Sequence, residues 1–158
     1  YGPKQNALMF LFVGGILVLI QGGYVRRRSN TVGPRRMTLH GLAMVVPALF
    51  LIGVAGGMRS QLVLYLGLAL LAAGSAQATP CLTALASAYT PAEDQGRVLG
   101  IFRSLGALAR AIGPLFAAAL YWWLGPVFAY CLGGLFVLIP LVMALKLPNL
   151  APHPTEGQ

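Results

Sequence analysis

Five apolar runs, at residues 6–25, 37–57, 61–89, 96–124 and 127–147, dominate this 158-residue chain. Each reaches the ~20 residues that a helix needs to cross a ~30 Å hydrocarbon core. Charged residues make up only 9% of the sequence, against roughly 25% in an ordinary soluble domain. So few charges cannot cover a surface in water, so lipid is the main solvent. The expected fold class is an all-α membrane protein with five transmembrane helices.

The connections are short. GMRS joins the second and third runs, and Gly125-Pro126 separates the fourth from the fifth. Gly-Pro is a strong breaker, and Pro126 suits the first position of a new helix. TPAEDQ ends the third helix and caps the next with two acids. RRRSNTVGPRR is longer and carries five arginines. The tail, 148–158, is polar and Pro-rich, and is expected to be a disordered cytoplasmic segment.

The chain holds 11 basic and 3 acidic residues, a net charge of +8. Nucleic-acid binding would need a soluble basic face interleaved with aromatics. Here most bases lie between apolar runs, where membrane proteins collect them on the cytoplasmic side. With the arginine-rich connection inside, Arg26, Arg27, Arg28, Arg35, Arg36, Arg97 and Lys146 are all inside, and only Lys4 and Arg59 are outside. That bias places the N-terminus outside and the C-terminus inside. An odd number of spans, opening on YGPKQN without Met, is read as the end of a longer protein. Cys81 and Cys131 fall within apolar runs and are read as small buried hydrophobes.

The runs are not simple anchors. They carry many glycines and alanines, which let helix backbones approach closely. Pro47, Pro80, Pro114 and Pro140 sit inside four of them and are expected to bend them. Kinked, Gly-rich helices are what a protein needs to alternate between two packings. Thr83 and Ser75 are expected to bond their own helix, whereas Gln77 is a candidate to face a cavity.

The stretch RSLGALARAIGP holds the most unusual charges. Arg103 lies near the cytoplasmic third of its helix, close enough to snorkel to the interface. Arg110 lies at the midpoint of a run about 43 Å long. An arginine at that depth costs about 2.5–3.5 kcal/mol unless it meets a partner or a wet cavity. Glu93, Asp94 and Glu156 are too peripheral to serve. Its partner therefore lies elsewhere in a larger protein, or is an anionic substrate held by the planar fork.

GGILVLIQGGYVRRRSNTVGPRRM resembles the Gly-rich, Arg-rich cytoplasmic turn of the major facilitator superfamily, with Gly22, Arg26, Gly33, Arg35 and Arg36 fitting its pattern. The superfamily's usual aspartate in that turn is missing. AEDQGRVLGIFRSLGALARAIGPLFAAALY resembles the loop and fifth helix of one half, with Gly106, Gly113 and Pro114 matching a Gly-Pro kink motif. Within the superfamily the chain is similar to the drug:proton antiporter branch. The resemblance implies helices eight to twelve of a twelve-helix transporter, the missing N-terminal half being a partner.

It also implies alternating access, with those turn and kink residues as gating elements, and small organic anions or drugs as substrates, for which Arg110 and Gln77 are the candidate binding residues. Transport is then the expected function, although this chain alone should be inactive. The implied location is the plasma membrane, with the inner nuclear membrane as alternative. Proton coupling would need a membrane carboxylate, which these runs lack. A second reading is a transporter-like scaffold that binds lipid or protein through its basic loop. No nucleophile–base pair, metal-ligand spacing or phosphate loop points to an enzyme, and no cofactor is implied.

Overall fold

The computed structural model describes residues 2–58 and 60–147. Arg59, counted above as an outer charge, and the tail expected to be disordered lie outside the described residues. The order is α1 (Pro3–Leu19), a π-helical stretch (Ile20–Val25), α2 (Arg26–Val32), α3 (Pro34–Met58), α4 (Gln61–Ala88), a short 3-10 turn (Ala92–Asp94) and α5 (Gln95–Lys146). There is no strand among the described residues. The chain is an all-α membrane protein, with four helical stretches long and apolar enough to span a bilayer by length and composition.

The fourth of these contains the two last apolar runs. As one straight helix its 52 residues would extend about 78 Å, more than twice the hydrocarbon thickness. Gly125 breaks it, with φ 80 and ψ 169. Only glycine readily adopts that region, and Pro126 then restarts the helix. Gly113 and Phe136 line one cleft from opposite sides of the break. The arms of α5 before and after Gly125 therefore fold back on each other.

The arginine-rich connection is not a loop. Arg26–Val32 is helical and continues α1, because it contains neither Gly nor Pro and arginine is a good helix former. The turn is confined to Gly33, whose φ 80 and ψ 150 again lie where only glycine fits. The prolines inside the runs do not interrupt them. Helix continues through Pro47, Pro80, Pro114 and Pro140. Two of the turns between helices, at Gly33 and Gly125, are made at glycines with positive φ.

Helix α3 is the hub. It runs antiparallel to α4, with Gly41 against Gly74 and Ala78, and Gly67 against Ala48 and Ile52. It also runs antiparallel to the second arm of α5, with Gly53 against Tyr130 and Gly134 against Phe50. The buried apolar set is largely alanine, including Ala48, Ala55, Ala72, Ala76, Ala78 and Ala144. Small residues let backbones meet where lipid supplies no hydrophobic drive between helices. Phe12 and Tyr65 add an edge-on ring contact, centroids 5.3 Å apart, between α1 and α4.

Candidate functional site

Helix propensity and the absence of a break place Arg103, Gly106, Arg110 and Gly113 on the first arm of α5. Their spacing of three, four and three puts them on one face. Arg103 and Arg110 are both exposed. No described residue gives Arg110 a hydrogen bond or an ion pair. Its guanidinium folds back over Gly106, with Nη1 3.5 Å from the place a Cβ would occupy. Helical side chains lean toward the N-terminus, so a residue four positions earlier decides how close the head may lie to the backbone. The spacing was visible in the sequence, but the role of Gly106 in it was not foreseen.

The same face leads into an apolar cleft of about 970 Å³ between the two arms of α5 and Leu49 of α3. Gly113 and Ala117 form part of one wall, and Gly133 and Phe136 part of the other. Tyr121 and Tyr130 also line it. The arrangement sets permanent positive charge beside an apolar recess, which fits an amphiphilic anion. Sequence reading missed the cleft, because it exists only once Gly125 folds the two arms together.

Gln77 does not join this face. It is 5% exposed and lies in the seam between α3 and α4. Its Nε2 donates to the Ala73 carbonyl at 3.2 Å and to Met44 Sδ at 3.6 Å. The expectation that it lacks a local outlet and faces a cavity is thus corrected, since the side chain reaches one turn back along its own helix. Thr83 bonds the Thr79 carbonyl at 3.2 Å, as expected of a threonine in a span.

A second group forms at the end of the bundle where α1 passes into α2. Gly22 lies in the π-helical stretch and is exposed. Val25 packs against Met37 and Cys81, with Ile20 and Val32 beside them. That cluster puts Arg26, Arg35 and Arg36 at the same end of the bundle. Arg35 donates from Nη2 to the Leu145 carbonyl at 2.8 Å, across 110 positions of sequence. A cation at the last carbonyls of a helix also complements its dipole. Arg26 and Arg36 are exposed. The structure therefore gathers the turn residues Arg26, Gly33, Arg35 and Arg36 at one end, while Pro114 sits with the Arg110 face.

Comparison with known proteins agrees with this geometry. Residues 5–158 match the family described as the Major Facilitator Superfamily. The chain is 36% identical to the mouse protein named major facilitator superfamily domain-containing protein 10 over 156 residues, covering 99% of this chain and 32% of that one. It is 38% identical to the human protein of that name, over 93% of this chain and 31% of that one. It superposes with a TM-score of 0.82 on a crystal structure of the human organic anion transporter MFSD10 (TETRAN), at 37% identity, covering 91% of this chain and 33% of that chain. The chain thus spans about a third of the length of the relatives it matches.

Proposed function

Since the chain belongs to the Major Facilitator Superfamily, we propose that it works as part of a secondary transporter for small organic anions. Arg110 is the residue that reads the substrate's negative charge, and the apolar cleft beside it receives the substrate's hydrophobic body. The observation that carries this reading is Arg110 itself, a permanent cation halfway along a membrane-length helix and exposed, with no partner among the described residues. An arginine at that depth needs an anion, a partner or a wet cavity, and the described residues supply no partner. A relative whose crystal structure is that of an organic anion transporter supports the same substrate class.

Transport proceeds by alternating access, in which this bundle moves against the helices that face Arg110. Gly33 and Gly125 are its turning points, since each holds a backbone conformation reserved for glycine. The bond from Arg35 to Leu145 holds α3 to the end of α5, so the two travel together. Glycine at 106 and 113 keeps the charged face narrow enough for a substrate to approach.

In the full-length transporter containing this chain, Arg110→Ala is expected to reduce flux of a fluorescent organic anion to background. Surface expression and flux of a neutral analogue should persist. Normal anion flux in a well-expressed Arg110→Ala protein would sink the proposal.

A further inference from the structure

We propose that the arginine end of the bundle is a binding surface for acidic phospholipids whose headgroup carries phosphomonoesters, the phosphoinositide class. Three packing contacts assemble this surface from parts distant in sequence. Val25 and Met37 share a buried cluster with Cys81, so Arg26, which follows Val25, and Arg36, which precedes Met37, lie at the same end of the bundle. Val32 packs on the same cluster and holds α2 against the start of α3. The Arg35 bond to the Leu145 carbonyl then brings Lys146 to the same end. Arg26, Arg27, Arg36 and Lys146 are all exposed there.

Depth and chemistry select the ligand. Helix α2 continues a membrane-spanning helix without a break, so Arg26 and Arg27 emerge within the first turn past the apolar run. That is headgroup level, where each base near an acidic leaflet is worth about 1 kcal/mol. Topology alone needs positive charge and is served equally by lysine. Between Arg26 and Arg36 every base is arginine. Guanidinium forks pair with carboxylate and phosphate alike, but a phosphomonoester brings about two negative charges and three acceptor oxygens, whereas the carboxylate of phosphatidylserine is offset by its own ammonium. Glu93 and Asp94 are the acids toward this end, carried past the end of α4, where Gln95 bonds the Ser87 carbonyl. Two acids leave the surface strongly positive.

The test reconstitutes the full-length protein containing this chain in phosphatidylcholine nanodiscs doped with a phosphatidylinositol bisphosphate, or with phosphatidylserine at the same total headgroup charge. Native mass spectrometry then counts the lipids retained. The phosphoinositide is expected to be retained about tenfold over charge-matched phosphatidylserine. That preference should vanish in R26Q/R27Q/R36Q and weaken clearly in R26K/R27K/R36K, which keeps the charge and guards against a folding defect. Equal retention of the two lipids by the unaltered chain would overturn the proposal. So would a preference that survives the glutamine variant, or a lysine variant that matches the unaltered chain.

Discussion

Arg110 and Gly106 form one unit on α5. The guanidinium lies at ordinary contact distance from a Cβ at position 106, 3.5 Å, so a methyl group fits beneath it and a larger side chain does not. Gly106→Ala should therefore leave anion transport near its starting level, while Gly106→Leu lifts the guanidinium off the helix. Losing one charge-assisted hydrogen bond to the anion corresponds to about a tenfold rise in KM. The rise should be confined to anionic substrates, and in Gly106→Leu/Arg110→Ala it should add nothing to the arginine loss. Equal effects of alanine and leucine at 106 would show that Gly106 serves helix packing instead. The presence of a mid-helix arginine was legible from spacing, because a span has a countable midpoint. The burial of Gln77 was not, because it depends on α3 and Met44 standing opposite, although its bond to the Ala73 carbonyl lies within its own helix. A single side chain is read from sequence only as far as its own helix determines its surroundings.

Among the elements, glycine sets the turns at 33 and 125 and the close seam between α3 and α4. A Cβ at Gly74 would lie 2.6 Å from the Gly41 carbonyl oxygen and 2.8 Å from Val45 Cγ2, so α3 and α4 would have to part. Gly74→Ala is expected to lower stability by about 1–3 kcal/mol, measured by thermal unfolding in detergent. Gly133→Ala is the control, since its Cβ would meet Leu49 Cδ1 at 3.8 Å and nothing need move. If both variants unfold alike, the α3–α4 contact is not a tight one. Gly125→Ala should cost about 1–3 kcal/mol for a different reason, since φ 80 with ψ 169 suits no residue with a Cβ. The Gly125-Pro126 break was plain in the sequence because both residues act through their own backbone. The helical course of Arg26–Val32 was hidden. A charge run and a loop share the same polarity, and only the lack of a breaker before Gly33 separates them.

For the whole molecule, the hub role of α3 leaves the first arm of α5 on the outside, with two unlike faces. Arg103, Gly106, Arg110 and Gly113 form one face, while Ile101, Leu105, Leu108 and Ile112 lie opposite by helical spacing. The large apolar side chains of that opposite face are 52%, 60%, 54% and 39% exposed, and the bundle itself covers neither face. In a membrane the two faces must part company. Branched apolar side chains belong in lipid or against other helices, and a permanent charge belongs in water or beside an anion. In the full-length protein, with every native cysteine, Cys81 and Cys131 among them, first replaced, single cysteines at 106, 110 and 113 should react with a membrane-impermeant thiol reagent. Cysteines at 105, 108 and 112 should stay unlabelled while the membrane is intact. An organic anion added beforehand should slow labelling at 106 and 113, because it occupies the space between the guanidinium and the cleft. Labelling of both faces alike would place the arm in water and remove the argument for a lipid-bounded site. Labelling of neither would mean that Arg110 is buried against a fixed partner, and its charge would then belong to structure and not to transport.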